Sequence, residues 1–170
     1  MLCGIRKSNQ AVLLWISCYF GNLAGAILVT LLLLGAGSLS QLPPDHALFD
    51  GALHKAHQAG SVIFFKGILA NWIVCMAVRV ALRCKEEIAK TLTLISIVFI
   101  FVYLGFEHSI ANMGTFSMAI LGGGTLTMDE GLHNLFFSTV GNVVGGALLV
   151  GMPFTYLNPR EREEQLVRVD

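Results

Sequence analysis

Apolar and polar residues in this chain are grouped in long blocks, not spaced at helical or strand periods. Four apolar stretches, at about residues 11–37, 61–82, 91–121 and 134–157, are separated by polar links. The first carries no charge and is long enough to cross a ~30 Å hydrocarbon core with some tilt. The second holds Lys66 near its start and Arg79 near its end, both able to snorkel toward headgroups. The fourth gives way to Pro159 and a charged stretch, so residues 158–170 read as a solvated tail. The pattern predicts an all-α integral membrane protein: one transmembrane domain over residues 1–170, with four spans.

The third stretch departs from the others. Thirty-one residues of continuous helix would measure roughly 46 Å, too long for one straight crossing. Its middle reads Gly105-Phe106-Glu107-His108-Ser109-Ile110-Ala111-Asn112-Met113, polar where a span should be most apolar. Two half-helices joined by an irregular link near residues 106–109 explain the length and the polarity together. Such a link is tolerated at membrane depth only where it is buried in protein or lines a cavity. Ionisable groups placed there mark a functional site by default. Ser109 is expected to cap the second half-helix by accepting from a free N–H, turning the positive end of that helix toward the break. With the link extended, successive side chains alternate, so Glu107 points away from His108. Glu107 is then expected to accept from backbone N–H groups or to pair with a cation.

Charge settles the orientation. Arg6, Lys7, Arg79, Arg83, Lys85, Lys90, Arg160, Arg162 and Arg168 fall on one side of four crossings, and Lys55 and Lys66 toward the other. That bias places both termini in the cytoplasm, in a multi-pass protein of the inner membrane. The polar link 38–60, with His46, His54, Lys55 and His57, reads as a solvated periplasmic loop, and residues 122–131 as a glycine-rich acidic link. Composition agrees: 55% hydrophobic, 13% charged, mean hydropathy +0.70, against about a quarter charged in soluble domains. Zero net charge argues against a nucleic-acid partner. The four cysteines read as free thiols, and no signal-peptide cleavage site is evident. No closed zinc spacing, phosphate loop or Gly-x-Ser-x-Gly elbow occurs, so no metal, cofactor or enzymatic activity is expected.

Spans one and four echo each other. Gly21-Asn22-Leu23-Ala24-Gly25-Ala26-Ile27-Leu28 aligns without gaps on Gly141-Asn142-Val143-Val144-Gly145-Gly146-Ala147-Leu148, each with Gly-x-x-x-Gly. Span one runs outward and span four inward, the relation of inverted repeats. The four spans therefore read as the last four of six. Asn22 and Asn142 are expected to bond across helices and support the broken segments.

The run Phe65-Lys66-Gly67-Ile68-Leu69-Ala70-Asn71-Trp72-Ile73-Val74-Cys75, the central stretch 105–113, and Val140-Gly141-Asn142-Val143-Val144-Gly145-Gly146 resemble the formate/nitrite transporter family. The resemblance covers residues 11–156, closer to the nitrite branch. It implies an aquaporin-like, inverted-repeat helical bundle of six spans, assembled as a homopentamer with a pore through each protomer. Small monovalent anions of weak acids would be the substrates: nitrite, formate or hydrosulfide. By the same resemblance His108 matches the central pore histidine, Phe101 and Val74 a hydrophobic constriction, and Asn71 and Lys55 polar residues of the permeation path. Glu107, Ser109 and Asn112 would support the pore. The family's first two spans, with the broken helix facing the central histidine, have no counterpart here. Two functional expectations follow: an anion channel or transporter, or a truncated, non-conducting fragment or membrane interaction subunit.

Overall fold

The computed structural model describes residues 8–157. The expected tail 158–170, along with Cys3, Arg6 and Lys7, lies outside the described residues. Seven helices and one π-helical segment follow one another, with no strand among the described residues: α1 (Ser8–Gly35), α2 (Ala47–Ala56), α3 (Gly60–Arg83), α4 (Glu87–Tyr103), α5 (Ser109–Leu121), α6 (Met128–Val143), the π segment (Val144–Gly151) and α7 (Met152–Leu157). The last three form one continuous helical rod.

Three helices are long and apolar enough to cross a membrane: Gln10–Gly35, Gly60–Arg83 and Met128–Leu157. Their outward surfaces stay apolar, as does α4, which buries no residue at all. Trp15, Phe65, Phe99, Val102 and Phe136 are all exposed. Helices of this kind are solvated by lipid, and the chain is an all-helical membrane protein. Helices α4 and α5, at 17 and 13 residues, are each shorter than a full crossing. They are the two pieces of the third apolar stretch.

Local chemistry accounts for that break. Gly105 adopts φ +60, a conformation natural to glycine. The N–H of Gly105 bonds Val102 O at 3.1 Å and that of Phe106 bonds Phe101 O at 3.3 Å. This is the paired helix-ending pattern of a Schellman motif, and it stops α4 without orphaning its carbonyls. At the other end of the third link, Thr127 and Glu130 form a reciprocal capping box that starts α6 at Met128. The fourth span therefore begins six residues before Asn134, inside the link read as a glycine-rich loop.

The link 38–60 is corrected more substantially. It contains α2, whose His46 Nδ1 accepts from Leu48 N and whose Phe49, Ala52 and Ala56 are buried against Phe116 and Ala119 of α5 and Leu126. Those three apolar residues recur at three and seven positions, a one-face helical period too short to stand out beside the spans.

Helix α3 is central, packing on α4, α6 and the π segment, while α5 lies against α1, α2 and α6. The α3–α6 contact is made by backbone. A Cβ on Gly141 would strike Phe64 O and lie 3.1 Å from Gly67 Cα; one on Gly145 would strike Ile68 O. The matching glycines of α1 differ: Gly21 and Gly25 have no described atom within 4 Å of such a Cβ. The echo in sequence is thus a packed seam in one helix and an open face in the other.

This contrast predicts opposite outcomes for one substitution. Gly141→Ala or Gly145→Ala should destabilise the detergent-solubilised chain by about 1–3 kcal/mol, as overpacking does. Gly21→Ala should stay within about 0.5 kcal/mol. Thermal unfolding followed by circular dichroism reads both; equal losses at Gly21 and Gly141 would contradict the asymmetry.

Candidate functional site

Residues 106–108 form the irregular link between α4 and α5. His108 is extended there, at φ −110 and ψ 116, and the side chains of the link point to different surroundings.

Glu107 is completely buried. Its Oε1 accepts from Lys55 Nζ at 3.0 Å and Gln58 Nε2 at 3.3 Å. Its Oε2 accepts from Asn112 Nδ2 at 2.6 Å and Asn134 Nδ2 at 3.2 Å. The partners are themselves linked. Asn112 Nδ2 also donates to Asn134 Oδ1, Asn134 Nδ2 to Lys55 O, and Lys55 Nζ to Phe106 O. A buried carboxylate is stable only when paired and fully bonded. Among the described residues no buried side-chain N or O lacks a partner.

A second hub lies beneath the first. Asn142 Oδ1 accepts from both the backbone N and the hydroxyl of Ser109, at 2.9 and 3.1 Å. Asn142 Nδ2 donates to Gly67 O and Glu107 O, each at 2.9 Å. One side chain on α6 thus binds α3, the link and the start of α5. The expectation for Ser109 is corrected: it is the first residue of α5, and its hydroxyl donates instead of accepting. The cap comes from another helix. Asn22, by contrast, donates only within α1, to Cys18 O at 2.7 Å.

Asn71 Nδ2 donates to Asn142 O at 2.6 Å, and a Cβ on Gly146 would collide with that amide. A side chain inserted against a helix at this point accounts for the turn from α6 into the π segment two residues later.

His108 faces the other way, onto an open cavity of ≈ 840 Å³. Asn71, Cys75, Ser109, Asn142 and Thr139 line it with His108, together with the apolar side of α1 around Trp15 and Tyr19. Tyr19 Oη and Thr139 Oγ1 bond at 2.9 Å across that cavity wall.

Of the residues marked in the sequence, the structure brings His108, Asn71 and Ser109 together on this lining. Phe101 stands edge-on to the His108 ring, centroids 6.1 Å apart, without lining the cavity. Val74 is half-buried on α3 and also off the lining. Lys55, Glu107 and Asn112 belong to the buried network. His57 Nε2 pairs with Glu130 Oε1 at 2.6 Å, and no group of metal-ligating residues occurs among those described. Asn134 and Gln58 were missed; Asn134 opens an apolar stretch and was readable as a polar anchor, whereas Gln58 in a polar link carries no signal.

Residues 2–156 match the sequence model of the formate/nitrite transporters. The chain belongs to the formate/nitrite transporter family. It is 40% identical over 153 residues to the uncharacterized transporter YwcJ of Bacillus subtilis, covering 89% of this chain and 60% of that one. It is 38% identical over 146 residues to the nitrite transporter NirC of Escherichia coli, covering 84% and 53%, and 34% identical over 170 residues to the formate channel FocA of the same species, covering 88% and 60%. In structure it is similar to an FNT family ion channel, with TM-score 0.83 and 32% identity over 89% of this chain and 61% of that one. The chain spans about half to three-fifths of the length of the curated relatives it matches.

The buried network of this formate/nitrite transporter homologue makes a quantitative prediction. Lys55→Met strands the Glu107 carboxylate and should cost about 3–5 kcal/mol of stability. Adding Glu107→Gln should restore most of the loss, because a neutral amide needs no counter-charge. Denaturant titration of the two variants in detergent measures it, and a double variant no more stable than Lys55→Met would refute the pairing.

Proposed function

We propose that this protein conducts small monovalent anions of weak acids, nitrite or formate with nitrite preferred, through a pathway at His108. The observation that carries this reading is the turning of one link in two directions. Glu107, whose charge would repel an anion, is withdrawn and neutralised by Lys55, while the His108 ring is presented to the cavity. The positive end of α5 is directed at the same place.

A bare anion in a poorly hydrated passage costs several kcal/mol. His108 lowers that cost by donating a hydrogen bond or a proton, so that a nearly neutral species passes the apolar part of the path beside Phe101 and Val74. The imidazole is suited to this because its ordinary pKa lies near neutrality. Asn71 and Ser109 contribute polar atoms on the same lining. Lys55 acts by fixing Glu107, and Asn112 by completing that network. The preference for nitrite is supported by the greater identity to the nitrite transporter NirC than to the formate channel FocA. A homopentamer in the cytoplasmic membrane with both termini inside completes the proposal; the positive-inside bias and the family support it. No cofactor and no enzymatic step is invoked.

A second reading has its own support. The open glycine face of α1 at Gly21 and Gly25 suits a chain that packs with membrane partners without conducting.

Flux into proteoliposomes separates the readings. Nitrite and formate uptake by the wild-type chain should change steeply between about pH 5 and 8. His108→Phe should flatten that dependence and lower uptake at least roughly tenfold, the size of a lost charge-assisted bond. Unchanged uptake and pH dependence in His108→Phe would sink the role of His108. Absence of flux from the intact wild-type chain would favour the interaction subunit.

A further inference from the structure

One helical turn beyond the cavity at His108 stands a guanidinium group. On α3, Asn71, Cys75 and Arg79 follow at four-residue intervals, which stacks them on one face about 6 Å apart per step. Asn71 and Cys75 line the cavity, and Arg79 stands one helical turn beyond Cys75 on the same face of α3. From the facing rod, Gly151 and Thr155 line the same end. Phe154, between them, lies beneath the arginine: Arg79 Cζ is 3.4 Å from the ring centroid and Arg83 Cζ is 5.1 Å from it.

The ion pairs of the described residues are Lys55–Glu107, His57–Glu130 and Lys90–Glu87, and neither arginine takes part in them. Two guanidinium groups near one ring repel each other; the negative face of the ring offsets that repulsion and fixes Arg79 in place. A guanidinium held by its face directs its N–H donors outward in its own plane, and among the described residues no hydrogen bond or ion pair of Arg79 occupies them. That fork matches a planar anion with two terminal oxygens better than a spherical halide.

We propose that Arg79, held on Phe154, is a binding group for planar two-oxygen anions at the α7 end of the His108 cavity. Its part in permeation rests on the anion-conducting reading above, but the binding itself does not. Arg79 draws the anion to this end of the cavity, and Cys75 and Asn71 mark the way from there to His108. Arg83, farther from the ring, adds field without a fixed direction.

Cys75 is a built-in reporter. In the full chain, solubilised in detergent, with Cys3, Cys18 and Cys84 replaced by serine, Cys75 is reacted with an anionic and a cationic methanethiosulfonate of similar size. The anionic reagent should react faster, and salt should reduce its advantage. Arg79→Gln should cut the rate ratio roughly fivefold or more, as expected for loss of a unit charge a few ångströms away. Arg79→Lys should keep the ratio yet lose the fork: formate and nitrite should protect Cys75 better than chloride at equal ionic strength in the parent, and no better than chloride in Arg79→Lys. Phe154→Leu should weaken the same discrimination. An unchanged ratio in Arg79→Gln, equal protection by formate and chloride in the parent, or a Cys75 that neither reagent reaches would each overturn the proposal. Because none of these measurements needs transport, a chain without flux that keeps the ratio fails the conducting reading alone.

Discussion

A carboxylate with no access to water must be neutralised, and Glu107 is such a carboxylate. Four donors from four places in the chain meet it: Lys55 on α2, Gln58 in the link after it, Asn112 on α5 and Asn134 on α6. None of these elements can shift without leaving a buried charge or amide unpaired. The position of α2 over the break follows from this requirement. Its apolar residues dock on α5, and Lys55 ties it to the link at Phe106 and Glu107.

The same constraint frees His108. Because the link is extended, satisfying Glu107 on one side turns its neighbour toward the other, where no comparable set of donors waits. The histidine therefore meets open space and the edge of Phe101. Asn142 completes the arrangement by holding the link carbonyl of Glu107 and the first N–H of α5 with one amide. A helix start inside a membrane needs an acceptor for its free donors, since no water is at hand. Here the acceptor comes from α6, which ties the half-helix to the helix with which α3 packs most closely.

Much of this was legible in the chain. Block hydropathy located the long apolar helices, because the cost of exposing backbone to lipid forces them. Two were placed within a few residues and the last, Met128–Leu157, six residues late at its start. The length of the third stretch and its polar centre exposed the break. The separation of Glu107 from His108 followed from the alternation of an extended link. Less legible were α2, hidden in a link whose polarity outweighed its short apolar period, and the role of Ser109, which local capping rules assign as an acceptor and which Asn142 makes a donor. The repeat of Gly21 to Leu28 in Gly141 to Leu148 predicted equivalence, yet only the second copy finds helix α3 to pack on.

The sequence by itself determined the class of the molecule, its family, the location of the break and which residues there are ionisable. Those properties depend on composition and on local backbone preference, both written along one dimension. Tertiary structure decided which partner each polar group takes: Lys55 from 52 positions away for Glu107, Asn142 from 33 positions away for Ser109, Phe154 for Arg79. Pairing of this kind depends on distance through space, and a buried polar group accepts whatever donor the packed helices bring within about 3 Å.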